Sequence, residues 1–252
     1  MHRFILQLLF TLVLINQINC HAAESDRMPT VHMIGDSTMA NKPTDTPNPE
    51  HGWGQLFPEC FKNPSVVINY AVNGRSTKSF IDEGKWAKVI SAIKPGDYLI
   101  IQFGHNDEKK DKPLVYAPAF GTYSDNLKRF IHEARAHGAT PILATPVARR
   151  KFDKQGKLVD THGDYPEAVR RVAKEEQVPL LEMLQLTSKK EQELGVEDSK
   201  KLHLWIAPGV YARDPKGLQD DTHYSHLGAT LASTLAAEEI KRLKLPLASL
   251  LK

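Results

Sequence analysis

The stretch DYLIIQF (97–103) is a near-continuous apolar run only seven residues long, and GHND (104–107) follows it immediately. Such a run fits a strand buried on both faces better than the alternating pattern of a half-exposed one. Four more runs of the same kind recur along the chain: TVHMI (30–34), SVVINYAV (65–72), TPILAT (140–145) and VPLLEM (178–183). Helical patterns lie between them. Ser124 or Asp125 is placed to cap a segment carrying Leu127, Phe130, Ile131 and Ala134 at helical spacing, with Gly138 as its stop. Asp164 and Pro166 open a second helix with Val169, Val172 and Ala173 on one face, and a last helix spans about 226–243. Apolar strands alternating with helices predict an α/β fold with a parallel sheet covered on both sides.

No internal repeat, low-complexity tract or Pro/Gly/Ser linker divides the chain, so residues 24–252 are expected to form a single domain. Residues 1–23 read differently. Arg3 precedes FILQLLFTLVLI, an apolar stretch too short to span a bilayer comfortably, and Ala22 and Ala23 offer the small residues that signal peptidase accepts. The expectation is a cleaved signal peptide, export to periplasm or extracellular space, and no stable membrane association afterwards. Removing it takes one of 33 basic residues and none of 30 acidic ones, leaving a net charge of about +2. That balance selects neither nucleic acid nor an anionic membrane as partner. Of the two cysteines, Cys20 falls in the presumed signal, so Cys60 has no partner and reads as a small core hydrophobe.

Four long polar stretches, at about 38–63, 104–123, 146–163 and 196–222, interrupt the pattern. The first three follow predicted strands and therefore emerge at the carboxyl edge, where open α/β sheets bind ligands. Ser37 lies in the first of the strand-end turns. A lone Ser there is ordinarily a cap; it becomes a nucleophile only with a base and an orienting acid in reach. QDDTHYSHLGA (219–229) supplies Asp220 and His223 three residues apart, which one turn of helix-like backbone would place on the same side, with Asp221 pointing elsewhere. Gly74 in NGRS and the Asn106 amide in GHND stand at two further strand ends as candidate oxyanion donors.

The ordered set GDS with Ser37, NGRS with Gly74, GHND with Asn106 and DDTH with Asp220 and His223 resembles the four blocks of the SGNH, or GDSL-like, hydrolases. The wider wording, IGDSTMA, GWGQLF, NGRSTKSF, GDYLIIQFGHND and DDTHYSHLGA, is similar more narrowly to the rhamnogalacturonan acetylesterases, over about residues 31–235. Thr38, where the wider superfamily often has Leu, agrees with that branch. The resemblance implies a flavodoxin-like three-layer α/β/α sandwich with a five-stranded parallel sheet and no metal or other cofactor. It implies Ser37 as nucleophile, His223 and Asp220 as the rest of a triad, and an oxyanion hole from the N–H groups of Ser37 and Gly74 and the Asn106 amide. The implied substrate is an acetylated plant cell-wall polysaccharide or oligosaccharide, foremost rhamnogalacturonan, with no protein partner evident. Acetylxylan or a broad range of short-chain esters is the rival within enzymes, and a non-catalytic carbohydrate-binding protein is the rival outside them.

Other residues read more blandly. Asp36 reads as a turn stabiliser, His105 and Asp107 as supports for the Asn106 loop, and His32 as a satisfied core residue. HEARAH (132–137) spaces its histidines five apart, where a zinc-binding helix needs four. No G-x-S-x-G elbow surrounds Ser37, and neither a Walker loop nor a G-x-G-x-x-G occurs. ARRKF (148–152) and THGDY (161–165) read by default as solvated loops; an acidic pectin backbone would make Arg149, Arg150 and His162 substrate contacts. Trp53 and Trp205 are candidates for stacking on sugars or for packing.

Overall fold

The computed structural model describes residues 27–44 and 48–252. The expected signal peptide and Cys20 lie outside those residues. Five strands, β1 (Val31–Gly35), β2 (Val67–Asn69), β3 (Tyr98–Gln102), β4 (Thr140–Ala144) and β5 (Leu180–Leu181), form one sheet in the order β2-β1-β3-β4-β5. All four pairings are parallel. This is the fold the apolar runs predict, with flanking helices on both faces.

Strand periodicity explains the two cores. Leu99 and Ile101 of β3 face one side, with Ile34, Phe80, Trp86, Phe130 and Val172. Ile100 faces the other, with Met33, Trp53, Phe57, Ile142 and Ala236. Helices α2 (Thr77–Asp82), α3 (Lys85–Ala92), α4 (Ser124–Ala136) and α5 (Tyr165–Glu175) cover the first face. The second face receives the short α1 (Trp53–Leu56) and the last helix; α6 (Met183–Asp198) follows β5. Trp53 is fully buried and Cys60 half-buried against this second core. His32 is buried too, its Nε2 3.0 Å from Asp97 Oδ2.

The ends of elements differ from the sequence reading. β2 is shorter than 65–72 because Pro64–Val66 form a 3-10 turn capped by Asn63. Past Asn69 the chain still follows β1, Tyr70 N–H and Val72 N–H donating to the Met33 and Gly35 carbonyls. Neither Ser124 nor Asp125 caps α4; an irregular turn at Ala119–Tyr123 leads into it, and Ser124 Oγ donates to the Ala119 carbonyl. Asp164 precedes α5 without a side-chain cap bond. Gly138 does stop α4, at φ +76°.

The larger departure is in 196–222, which reads as a polar loop. It contains β6 (His203–Ile206), paired antiparallel with β7 (Leu218–Tyr224) in a separate hairpin. The last helix, α7 (His226–Arg242), follows at once, capped by Ser225. A Cβ on Gly228 of α7 would lie 2.0 Å from the Leu202 carbonyl oxygen and 2.7 Å from the Tyr224 ring, so the hairpin sits hard against the helix. Gly228→Ala is therefore expected to destabilise the fold by about 1–3 kcal/mol. The midpoint of denaturant unfolding reads this, and an unmoved midpoint would contradict the close approach.

Candidate active site

The turn after β1 is built around a buried carboxylate. The Asp36 carbonyl accepts from Met39 and Ala40 N–H, and its Oδ1 accepts from Thr38 N–H at 2.9 Å and Thr38 Oγ1 at 2.8 Å. Burial would raise the Asp36 pKa, but the facing His105 and the Thr38 bonds outweigh it and hold the group at about 2. Gly35 is needed here because a Cβ would lie 2.6 Å from the Gln102 carbonyl of β3. Ser37 is left half-buried at the carboxyl edge.

Its partner comes from β7. His203 pairs with Tyr224 but Leu204 pairs with Asp220, so Asp221, Thr222 and His223 bulge from the ladder. Asp220 Oδ1 closes the bulge, accepting from Thr222 N–H at 2.7 Å and His223 N–H at 2.9 Å. Its Oδ2 lies 2.7 Å from His223 Nδ1, and His223 Nε2 lies 2.9 Å from Ser37 Oγ. The helix-like turn expected for these residues is thus corrected to a bulged strand, although the three-residue reach is kept. Asp221 points away, accepting from Arg150 and from Trp205 Nε1. Burial alone would raise Asp220, but His223 and the two N–H bonds keep it ionised far below the usual carboxylate range. An ionised carboxylate only accepts, so Nδ1 carries the proton and Nε2 faces the serine hydroxyl as an acceptor.

Gly74 follows β2 with φ +74°, and nothing lies within 4 Å of where its Cβ would be. Asn106 Nδ2 donates one N–H to the Arg75 carbonyl at 3.0 Å and Oδ1 accepts from Lys109, which fixes the amide. Asp107 latches the two loops: its Oδ1 accepts from Thr77 N–H at 2.9 Å and Thr77 Oγ1 at 2.6 Å. Burial pushes the Asp107 carboxyl up to about 8, against the Thr77 bonds, so it stays neutral at pH 7. His105, pulled down by burial to about 4 despite Asp36, is neutral as well.

Lys42 gave no signal in the sequence. Its side chain is 2% exposed, and Nζ donates to the Ser37 carbonyl at 2.7 Å, Asn73 Oδ1 at 2.6 Å and Glu50 at 2.7 Å. Burial lowers its pKa and Glu50 opposes the shift. One ammonium group thereby ties the Ser37 turn to the loop bearing Gly74.

Of the three basic residues expected at the substrate, Arg150 and His162 have their side chains taken up inside the loops, His162 at the wall of a cleft with Glu108 and Thr161, and Arg149 stays partly exposed. Arg150 is 5% exposed and gives its donors to Asp221, Ser199 Oγ and the Val196 carbonyl. His162 is buried between the Val147 carbonyl and Glu108. Both serve the loops themselves, because each buried donor needs an internal acceptor. Arg149, partly exposed, bridges Glu108 and the His105 carbonyl. Trp53 donates to Gln102 Oε1 at 2.6 Å inside the core, and the Trp205 ring is flanked by Arg150 and Lys200. Beside His223 opens a cleft of about 280 Å³, lined by Asn48, Glu50, Tyr211, Arg213 and Asp214. Among the described residues no three His, Cys, Asp or Glu side chains stand where they could hold a metal ion.

Asp107 yields a pH prediction. Folded, it keeps its proton to about pH 8; unfolded, it loses it near 3.8. The folded state therefore binds more protons in between, and wild-type stability falls as pH rises through that window. Asp107→Asn lacks this loss, so its Tm relative to wild type should climb from pH 5 to pH 8. Parallel Tm curves would remove the buried proton.

The sequence profile of the GDSL-like lipase/acylhydrolase family matches residues 33–231. The chain is 40% identical over 217 residues to the rhamnogalacturonan acetylesterase RhgT of Bacillus subtilis, covering 86% of this chain and 91% of that protein. It is 36% identical to the probable rhamnogalacturonan acetylesterase YesY of the same organism, covering 86% and 94%. Among solved structures, the Bacillus subtilis protein YxiM superposes with a TM-score of 0.74 at 26% identity, over 87% of this chain but 58% of that one. The acetylxylan esterase Axe2 of Geobacillus stearothermophilus shares the fold, with a TM-score of 0.59 at 18% identity over 84% of this chain and 94% of that one. The chain belongs to the GDSL-like lipase/acylhydrolase family and is a carboxylic ester hydrolase.

Proposed function

We propose that the protein is an exported carbohydrate esterase that removes O-acetyl groups from plant cell-wall polysaccharide, with rhamnogalacturonan as its substrate. The observation that carries the chemistry is the unbroken hydrogen-bonded chain Ser37–His223–Asp220, at 2.9 and 2.7 Å. The substrate follows from the likeness to RhgT and YesY, which spans nearly their whole length. Axe2 is too distant at 18% identity to speak for xylan. For export, the support is the leader-like composition of residues 1–23, with the working enzyme beginning near Glu24 as one catalytic domain. No helix of the described residues is long and apolar enough to cross a membrane.

Ser37 Oγ attacks the acetyl carbonyl while His223 Nε2 takes its proton, and Asp220 stabilises the imidazolium that results. The tetrahedral oxyanion is received by the N–H groups of Ser37 and Gly74 and the Asn106 amide. His223 then protonates the departing sugar hydroxyl, leaving acetyl-Ser37. Water, deprotonated by His223, releases acetate and restores the serine. Neutral Asp107 and His105 beside these loops add no negative charge that would oppose the oxyanion.

Acetate release from acetylated rhamnogalacturonan, with acetylated xylan and p-nitrophenyl acetate in parallel, tests the reading. Wild type should favour the pectic polymer and Ser37→Ala should lose turnover on all three while melting as wild type does. Release that survives Ser37→Ala would sink the mechanism, and preference for xylan would overturn the substrate. Asn106→Ala is expected to lower kcat by about 10²-fold, or about 3 kcal/mol, the usual cost of one oxyanion donor. An unchanged kcat would take the amide out of that role.

A further inference from the structure

The loop that carries Asn106 continues as 107–123, and its far end holds an aromatic ring that nothing in the fold buries. Phe120 is 51% exposed, on a segment where Phe120 (φ −91°, ψ 20°) and Gly121 (φ −130°, ψ −121°) break helical geometry just before α4. The backbone is bent here and the large apolar side chain faces outward, where it gains little by burial. One side of the ring is backed by the Arg171 guanidinium of α5, whose carbon lies 4.5 Å from the ring centroid. The ring borders a cleft of about 520 Å³ whose polar walls include Glu108, Lys110, Thr161 and Asp164. Lys110 and Asp164 are exposed, and no ion pair between described residues engages either. Glu108, by contrast, is held by Arg149 and His162, which fixes the wall nearest Asn106.

A braced aromatic face beside the unpaired charges of Lys110 and Asp164 and the Thr161 hydroxyl, which accepts from Arg149 and keeps its own proton to donate, suits a molecule with an apolar C–H face and a polar rim, which describes a pyranose ring. Position along the chain ties this cleft to the reaction centre. Asn106 and Glu108 are two residues apart on one loop, and Arg149 joins Glu108 to the His105 carbonyl. A second cleft, on other loops, is lined by His223 itself. We propose that the Phe120 cleft is a sugar subsite: a pyranose of the polymer stacks on Phe120, and Lys110, Thr161 and Asp164 bond its hydroxyls. The proposal rests on the carbohydrate-ester reading above and adds where the saccharide chain lies. Binding energy gained there, away from the acetyl group, is available to hold the ester against Ser37, so its loss affects large substrates and spares small ones.

The test is Phe120→Ala in the full chain, read as the ratio of kcat/KM on acetylated rhamnogalacturonan to kcat/KM on p-nitrophenyl acetate. Both values come from one preparation, so any misfolded fraction cancels. The ratio should fall at least tenfold. Calorimetric titration of a deacetylated rhamnogalacturonan oligosaccharide, which cannot turn over, should show at least tenfold weaker binding to the variant. If polymer is deacetylated and neither quantity differs from wild type, the subsite is overturned and the enzymatic reading stands. Oligosaccharide binding that depends on Phe120, without acetate release from the polymer, supports the subsite and overturns that polymer as substrate. Wild type that cleaves p-nitrophenyl acetate yet neither binds the oligosaccharide nor deacetylates the polymer overturns both.

Discussion

Asp36 is an anion with no exposure at the carboxyl end of β1, and donors around Ser37 converge on it. An unpaired buried charge would cost several kcal/mol, so the chain must deliver donors to it. Thr38 supplies two from the turn itself. The Thr38 hydroxyl is in turn held by Gln102 Nε2 at 2.9 Å, and Gln102 Oε1 accepts from buried Trp53 at 2.6 Å. This line of bonds runs from β1 through β3 to α1, and the Ser233 hydroxyl of α7 continues it by donating to the Trp53 carbonyl at 2.6 Å. The backbone around Ser37 is therefore fixed from three elements before any substrate arrives, which is the preorganisation that catalysis by oriented groups requires.

Charge is distributed around that turn unevenly. Asp36 and Asp220 remain ionised, each accepting from N–H groups and facing a histidine, whereas burial and the nearby charge of Asp36 keep the proton on Asp107. Asp107 is one residue from Asn106, and a second anion there would face Asp36 as well. Two like charges in one buried region push one pKa up; His105 faces Asp36 and holds it down, so Asp107 is the group that yields. Lys42 places a positive charge on the Ser37 carbonyl side of the turn. The field near the serine is thus less negative than its count of carboxyl groups suggests.

The sheet was legible because strands buried on both faces are mostly apolar, and LIIQF and TVHMI are strand-length apolar runs set between helical patterns, their polar residues Gln102 and His32 being paired inside the fold. Ser37, His223 and Asp220, which hydrogen bonds join in the structure, were legible as types and spacing, and their local structure was not. The bulge in β7 exists because Asp220 Oδ1 captures two N–H groups that would otherwise join the ladder, a competition between side chain and partner strand that no periodicity records. Arg150 and His162 failed as surface residues for a related reason. ARRKF looks solvated until Asp221, Ser199 and the Val196 carbonyl are brought to Arg150 from about 50 to 70 residues away. Lys42 was invisible on the same ground, since its three acceptors come from separate segments.

His223 reaches Ser37 from outside the main sheet, and the spacing of that sheet gives the reason. The carboxyl ends of β1, β2 and β3 are taken by the Ser37 turn, the Gly74 loop and the Asn106 loop, and a parallel strand could offer a base only from a neighbouring end, about 5 Å per strand to the side. A separate hairpin is free of that spacing. Gly228 packs closely against Leu202 and Tyr224 at one end of the hairpin, and the bulge in β7 brings His223 Nε2 to 2.9 Å from Ser37 Oγ. The hairpin meets the sheet where His223 reaches Ser37, with a cleft of about 280 Å³ beside it and one of about 520 Å³ on the loops 108–120 and 161–165. On the proposed reading, clefts on separate loops suit an ester in the middle of a long saccharide, whereas a single closed pocket would admit only chain ends.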